Sequence, residues 1–335
     1  MKTEFHYYIT HLIAARAGFR GDDLRILAYA SQFTDDNNWM YDIEKDKQTV
    51  YKNLISQTMD PTKSHKEKLE VYPLFHFIPG DPNAESAKRK DGQTNPFNTT
   101  PNSPNANRII DSALKTNDFY QIGMASHAYV DTWAHQNFVG FQSDFNAFSG
   151  FTSALLPNIG HADAKTQPDQ PRLIWDDERL VNSTVINKDR FLEAARHLFG
   201  KLRMLADSSC STASLETDWD SLLIDLDSAI SGSNSEDEPS NERLAGYSAL
   251  AEKSEYGGAK IPEYKKDIWI QSAIEHTVKF VGNPNRQQQR IDVYGFKPGH
   301  ETSDWFKFQE AVKAYAERTK AILCETPAIA DQYLG

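Results

Sequence analysis

Apolar residues recur three and four positions apart along most of this chain, and strict alternation of apolar and polar residues is scarce. Such spacing is typical of helices with one buried face. The sequence therefore predicts an all-α fold, a multi-helix bundle with long loop excursions. The predicted helices are Phe5–Gly18, Asp22–Phe33, Arg108–Leu114, a helix from about Asp118 that carries His127, Lys188–Ala206, Asn241–Lys253, Tyr264–Phe280 and Thr302–Cys324.

Two polar stretches interrupt the helical pattern. Residues 81–107 are dense in Asn, Pro, Thr and Ser and predict a long loop. Residues 207–241 are rich in Ser, Asp and Glu apart from an apolar segment at 219–230, and they predict an acidic, Ser-rich connector. The chain is thus expected to form a metal-binding helical core over 1–206, the connector over 207–241, and a C-terminal helical region over 242–335 that packs on the core.

The stretch from Gly123 to Phe138 sets His127, Asp131 and His135 at steps of four. On a helix these side chains fall within an arc of roughly 80°, so they can converge on one face. Zinc binds imidazole nitrogen and carboxylate oxygen, and a carboxylate between two imidazoles can bridge two ions. Any one of these histidines could be an ordinary core residue. The three together favour a metal site, because ionisable groups are rarely buried without partners.

Further candidate ligands occur in four other places. His6 lies in the first predicted helix, on a different face from His11, and His76 lies in an apolar segment that ends in Pro-Gly. Asp35 and Asp36 end the second predicted helix, where negative charge is unfavourable unless a cation compensates it or the residues form a solvated loop. His161 lies in a Pro/Gly-rich loop with Asp163 and Asp169 nearby, and such loops often carry binding residues.

This order of motifs resembles that of the zinc-dependent bacterial phospholipases C and the related single-strand nucleases, which are all-helical phosphodiesterases with a zinc cluster. The chain also resembles a bacterial family, without a substrate known to us, that opens with a similar Phe-His-Tyr-Tyr and repeats His-x-x-x-Asp-x-x-x-His-Gln and Gly-His. The resemblance covers about residues 5–170. It implies a helical bundle of the phospholipase C/nuclease type.

The resemblance also implies a role for each candidate residue. Asp35 or Asp36 would serve both as a ligand and as the catalytic base, and Asp131 would bridge two ions. In the resembling enzymes the N-terminal amine and a tryptophan also bind one zinc, whereas this chain starts with Met1. The implied ligands of about two to three zinc ions are His6, Asp35, Asp36, His76, His127, Asp131, His135, His161 and Asp163.

Neutral histidine ligands usually have the second ring nitrogen anchored by a hydrogen bond. Side chains near the candidate ligands in sequence could provide that bond. The candidates are Asp36, Asn37, Asn38, Tyr129, Gln136 and Asn137.

Composition limits the partners and the compartment. The chain has 335 residues with a net charge of −11, which disfavours extended nucleic acid but allows one phosphate at a metal cluster. No apolar run is long enough for a transmembrane helix, and the first residues lack the apolar stretch of a secretory signal. Cys210 and Cys324 are too far apart in sequence to suggest a thiolate site. We expect a cytoplasmic protein, or one exported without a signal peptide, with peripheral membrane contact at most.

The sequence therefore predicts a zinc-dependent phosphodiester hydrolase, most simply phospholipase C-like. It would use a metal-bound hydroxide on a phospholipid headgroup or a small phosphodiester. The alternatives are a single-strand nuclease-like phosphodiesterase and a non-catalytic scaffold stabilised by metal. In a scaffold the ligands would close around each ion and leave no position for water.

A first test is the metal content of the purified protein. The candidate ligands exceed the capacity of one tetrahedral ion, so we expect about two or three ions per chain, chiefly zinc. Elemental analysis of metal-replete protein measures this directly. Less than one equivalent would contradict the expectation, and chelation should lower thermal stability because bound ligands stabilise the native state.

Overall fold

Helices form most of the structure, and several of them begin and end close to the predicted positions. The computed structural model describes residues 1–44, 49–60, 62–149, 158–232, 240–281 and 289–334. A π-helical segment, Glu4–Ile9, leads into the first α-helix. The α-helices are α1 (Thr10–Ala17), α2 (Gly21–Asp36), α3 (His65–Leu69), α4 (Tyr72–Phe75), α5 (Pro104–Leu114), α6 (Phe119–Ala134), α7 (Asn187–Ala206), α8 (Thr212–Ser231), α9 (Asn241–Ala251), α10 (Ile268–Ala273), α11 (Asp304–Leu323) and α12 (Pro327–Leu334).

The prediction of an all-α fold is wrong, because the helices are accompanied by two sheets. A four-stranded mixed sheet has the order β2-β1-β6-β5, with β1 antiparallel to β2 and parallel to β6. A separate antiparallel pair is formed by β3 and β4. The strands are β1 (Asp42–Glu44), β2 (Val50–Lys52), β3 (Ile174–Asp176), β4 (Thr184–Ile186), β5 (Ile274–Val281) and β6 (Gln289–Phe296).

The segment predicted as the helix Tyr264–Phe280 shows why the sheet was not predicted from the sequence. Only the short helix α10 forms there, and the chain then continues directly as β5. Ile274, Thr277 and Val278 are β-branched, so they are stiff at χ1 and suit an extended backbone. The antiparallel pairing of β5 with β6 over eight residue pairs overrides the helical spacing of the apolar residues.

Much of the predicted connector is also helical. Helix α8 buries Trp219, Leu222, Leu226 and Ile230, which lie three or four residues apart and form one face. Residues 233–239 of the predicted connector lie outside the described residues.

The main apolar core draws on residues from Met1 to Ile329. Helix α11 packs against α5 and α6, so the C-terminal region shares this core. Among the described residues, no helix has both the length and the apolar content needed to cross a bilayer. A second, smaller apolar cluster consists of Tyr72, Phe77, Phe138, Ala164, Trp175 and Val185.

The close approach of α2 and α6 depends on Gly123. A Cβ atom at this position would lie 2.6 Å from the Leu27 carbonyl oxygen and 2.6 Å from Ala30 Cβ, so a larger residue would push the helices apart. His127 follows Gly123 by one helical turn. The glycine thus lets the last turn of α2, which carries Asp35, lie beside α6.

A buried ion pair fixes the start of the chain to α9. The Glu4 carboxylate accepts hydrogen bonds from Arg243 Nε at 2.7 Å, Arg243 Nη2 at 3.0 Å and the Tyr247 hydroxyl at 2.6 Å. All three residues are buried. A buried charge of this kind is tolerated only while its partner compensates it.

We therefore expect Glu4→Gln to lower the free energy of unfolding by about 3–5 kcal/mol, because it removes the carboxylate that neutralises Arg243. Urea denaturation at a fixed metal concentration measures the loss. The control is Glu216→Gln, which breaks an exposed 3.0 Å ion pair with Arg196 and should cost less than about 1 kcal/mol. Equal losses in the two variants would contradict the role assigned to Glu4.

Candidate metal centre

Eight histidine and aspartate side chains from five chain segments converge at one place. They form three groups, and within each group the potential ligand atoms lie within 4.8 Å of one another. The first group is His6, His127 and Asp131, the second is Asp35, His76 and His127, and the third is His135, His161 and Asp169. Each group could hold a metal ion.

Asp131 is the centre of this arrangement. Its Oδ1 lies 3.2 Å from His6 Nε2, while its Oδ2 lies 3.2 Å from His127 Nε2 and 3.4 Å from His76 Nδ1. The two carboxylate oxygens therefore face different histidines. A carboxylate in this position could bridge two ions, which is the role expected of Asp131 from the sequence.

The structure distinguishes Asp35 from Asp36. Asp35 Oδ1 lies 3.7 Å from His127 Nε2 and 3.8 Å from His76 Nδ1. Asp36 belongs to none of the three groups. Its carboxylate instead accepts hydrogen bonds from Gln32 Nε2 at 3.1 Å and from the Tyr264 hydroxyl at 2.8 Å, and burial raises its pKa. Successive residues on a helix point about 100° apart, which explains why only one of the two faces the histidines.

The third group uses Asp169 in place of the predicted Asp163. Asp169 Oδ1 lies 3.7 Å from His135 Nε2, and its Oδ2 lies 3.5 Å from His161 Nε2. Asp163 belongs to none of the three groups, and its carboxylate accepts a hydrogen bond from the Phe148 amide at 3.3 Å. A short 3₁₀-helix, Gln167–Asp169, brings Asp169 back to the site. Sequence proximity favoured Asp163, because an irregular loop has no fixed spacing from which to choose.

The His161 loop lies tightly against Phe77. Gly160 has φ +53°, and a Cβ atom there would lie 2.6 Å from the Phe77 ring. Glycine adopts this backbone conformation without steric cost. The Phe77 ring also stacks on His135 with ring centroids 4.4 Å apart, so one aromatic side chain supports two members of the third group.

Three of the histidines have one ring nitrogen anchored by a main-chain carbonyl. His76 Nε2 donates to Ser56 O at 2.8 Å, His135 Nδ1 to His76 O at 2.9 Å, and His161 Nδ1 to Lys165 O at 2.7 Å. A carbonyl only accepts, so the anchored nitrogen carries the hydrogen and the other has a free lone pair. In each case that second nitrogen faces an aspartate of the cluster. The side chains proposed from the sequence do not provide these bonds.

His6 and His127 are fully buried and stack with ring centroids 3.7 Å apart. Neither ring nitrogen of His6 makes a hydrogen bond to the described residues, and the same is true of His127 Nδ1. Buried polar atoms without partners cost about 1–3 kcal/mol each. A metal ion beside His6 Nε2 and Asp131 would compensate this cost, so the donor set fits a metal.

The electrostatics of the site also suit metal binding. Burial, together with the neighbouring His127, lowers the pKa of His6 to about 4. Burial alone would raise the pKa of Asp131, but His135, the Met1 amino group, His127 and His6 hold it well below its usual range. His6 is therefore neutral and Asp131 ionised at neutral pH. These are the protonation states that metal ligands require.

The amino group of Met1 lies within the cluster, 2.6 Å from Asp131 Oδ1 and 3.3 Å from Asp169 Oδ1. Burial would lower its pKa, but the two carboxylates and Asp35 raise it to about 10. The amine thus connects the first and third groups. This amine was not among the ligands expected from the sequence.

One side of the cluster opens into a cavity of about 340 Å³. Asp35 forms part of its wall, with a quarter of its side chain exposed. The ligand groups therefore have a face accessible to water and to a small molecule. The cavity is lined by Met1, Asp35, Gln57, Met59, Asp60, Tyr72, His76, Phe77, His135, Ile159, Gly160, His161, Ala162 and Asp169.

The fold and the site thus define a mainly helical protein with His/Asp clusters that could hold metal ions. The chain belongs to a family of unknown function, DUF6765, which it matches over residues 1–323. No curated protein matches the chain. No solved structure matches it either. The span matched by the family contains all eight side chains of the cluster.

The choice of Asp169 over Asp163 can be tested by metal binding. Loss of a residue that only hydrogen-bonds to a ligand typically weakens metal binding by about 10–100-fold. Because Asp169 would be a ligand itself, we expect Asp169→Asn to weaken the binding of one ion by more than this. Asp163→Asn, in the same loop, is the matched control and should retain wild-type affinity. Titration with zinc, followed by elemental analysis, compares the two variants. Loss of metal in Asp163→Asn alone would reverse the assignment.

Proposed function

We propose that this protein is a zinc-dependent phosphodiester hydrolase of the phospholipase C-like type. The observation that carries the proposal is the convergence of eight histidine and aspartate side chains beside an open cavity. Zinc is the metal that best suits a ligand set of imidazole nitrogens and carboxylate oxygens. When bound, such ions would neutralise charge on the phosphate and lower the pKa of water at the site.

The open cavity favours an enzyme over a metal-stabilised scaffold. Structural zinc sites are closed by four protein ligands, whereas catalytic sites keep a position for water or substrate. Here five of the eight side chains line the cavity wall: Asp35, His76, His135, His161 and Asp169. The other three, His6, His127 and Asp131, are not among the lining residues and are fully or almost fully buried. The second and third ligand groups thus border the cavity, while the first group lies outside its lining.

Asp35 is the side chain best placed to accept a proton from an attacking water. It lines the cavity and lies within 4 Å of His76 and His127. Asp36, the other candidate base, is held by Gln32 and Tyr264 outside the cluster. We therefore assign the role of general base to Asp35 alone, and that of bridging ligand to Asp131.

The cavity wall favours a small or lipid phosphodiester over nucleic acid. None of the described residues that line it is a lysine or an arginine, so phosphate binding would fall to the metal ions. Proteins that follow a single strand use a positively charged groove. The wall instead presents Tyr72, Phe77 and Ile159, and Met59 at its edge is 84% exposed. We infer a substrate with one phosphodiester and an apolar portion, such as a phospholipid.

The substrate assignment is tested with one zinc-loaded preparation and three substrates. We expect turnover of short-chain phosphatidylcholine or bis(4-nitrophenyl) phosphate to exceed that of single-stranded DNA. The reason is the absence of basic side chains from the cavity wall. A clear preference for single-stranded DNA would favour the nuclease-like alternative, and no turnover of any of the three by metal-loaded protein would favour the scaffold.

The catalytic assignment needs variants with a matched control. Asp131→Asn should remove activity more completely than His161→Ala, because Asp131 faces two ligand groups and His161 only one. Asp163→Asn serves as the control and should retain activity. Metal content and folding must be measured for each variant, since lost ligation resembles lost catalysis. Full activity and full metal content in Asp131→Asn would contradict the proposal that Asp131 is the bridging ligand.

A further inference from the structure

A chain of buried hydrogen bonds connects helix α11 to the metal centre. It begins at Gln309, whose Nε2 donates to Asn37 Oδ1 at 2.9 Å although the two residues are 272 positions apart. Gln309 is fully buried and Asn37 almost so. Asn37 follows the last turn of α2, two residues after Asp35. Helix α11, which supplies no candidate ligand, therefore contacts the segment that carries Asp35.

Asn37 in turn holds the segment that contains Ser56. Its Nδ2 donates to Leu54 O at 2.9 Å and to Ser56 Oγ at 3.1 Å, and its carbonyl accepts from the Ser56 amide at 3.0 Å. Ser56 Oγ donates to Thr34 O at 2.7 Å. The Ser56 backbone is thus fixed against the end of α2 by bonds on both sides.

The chain ends on a ring nitrogen of His76. Ser56 O accepts from His76 Nε2 at 2.8 Å, so that nitrogen carries the hydrogen. His76 Nδ1 then has its lone pair directed toward Asp131 Oδ2 at 3.4 Å and His127 Nε2 at 3.0 Å. The carbonyl of His76 also anchors His135 Nδ1 at 2.9 Å. A shift of His76 would therefore disturb both the second and the third ligand group.

Gln309 and Leu54 together fix the orientation of the Asn37 amide. An asparagine amide can rotate by 180° and exchange its donor and acceptor ends. In the rotated form, Oδ1 would meet the Leu54 carbonyl, where no hydrogen is available, and Nδ2 would meet the Gln309 donor. The Leu54 carbonyl therefore already favours the observed orientation, and the bond from Gln309 to Oδ1 reinforces it. Gln309 thus helps to hold Asn37 where it binds Ser56.

We propose that Gln309 and Asn37 are positioning residues for the metal centre, which hold Ser56 so that His76 keeps its hydrogen on Nε2 and its Nδ1 free for a metal. This inference rests on the metal-binding part of the proposed function. It assigns a role in the site to helix α11.

The test is Gln309→Met, which keeps the length of the side chain but removes its donor. Loss of a hydrogen-bond partner outside the ligand shell typically weakens metal binding by about 10–100-fold. Since Gln309 acts through two further residues, we expect zinc affinity to fall by about tenfold, at the low end of this range. The matched control is Gln121→Met in α6, where Gln121 is also buried and donates to Asp118 at 2.8 Å. The control should bind zinc as the wild type does.

A second measurement is independent of bound metal. The ¹⁵N shifts of the His76 ring in metal-free protein report which nitrogen carries the hydrogen. We expect the Nε2–H form in the wild type and in Gln121→Met, and a mixture of forms in Gln309→Met. Asn37→Asp, which replaces the Nδ2 donor by oxygen, should give the same mixture. If the two residues act through one chain, their effects on zinc affinity will be less than additive in the double variant.

The outcomes separate this inference from the proposed function. Unchanged zinc affinity and an unchanged His76 ring form in Gln309→Met would overturn the inference, whatever the enzyme does. An equal loss of zinc affinity in Gln121→Met would overturn it too, because the effect would then be one of general stability. If the predicted differences appear but no phosphodiester is hydrolysed, the positioning role stands and the catalytic proposal fails.

Discussion

The burial of Asp131 is the constraint on which the rest of the site depends. A carboxylate with almost no exposure must be compensated by neighbouring donors, since an isolated buried charge is very unfavourable. Here the Met1 amino group donates to Asp131 Oδ1 at 2.6 Å, while His6, His76 and His127 face the carboxylate in positions from which they could share a metal ion with it. Each of these groups is therefore fixed in place by the need to face one carboxylate. The close approach of α2 and α6 at Gly123 then brings Asp35 to the same point.

The part of the site that follows from helix geometry could be predicted from the sequence. A spacing of four residues places His127, Asp131 and His135 on one face, whatever surrounds the helix. Asp169 could not be selected in the same way, because the loop between it and His161 has no regular repeat. The groups that anchor the histidine rings could not be predicted from the sequence either. They are main-chain carbonyls such as that of Ser56, which every residue has and no residue type reveals.

The fold shows the same division between local and long-range information. Helix α6 begins directly after Asp118, as predicted, and α7 lies within one residue of the predicted Lys188–Ala206, because apolar spacing and, in α6, the capping residue Asp118 are local signals. The mixed sheet was missed because β1 and β2 have only three residues each, too few for an alternating pattern. Strand β5 forms because it pairs with β6, although its own sequence also fits the helical pattern. The pair joins the larger sheet through β1, which is remote in the chain and lies on the other side of β6.

The buried hydrogen bonds from Gln309 to His76 have a consequence for how the protein is made. The candidate ligands all lie before residue 170, so they leave the ribosome well ahead of helix α11. Contacts between residues so far apart in sequence carry a large cost in chain entropy, and they form only when the intervening elements have folded. A nascent chain would therefore contain every candidate ligand but lack the helix that helps to hold Asn37 in place. The ability of the site to hold metal would then depend on the docking of α11.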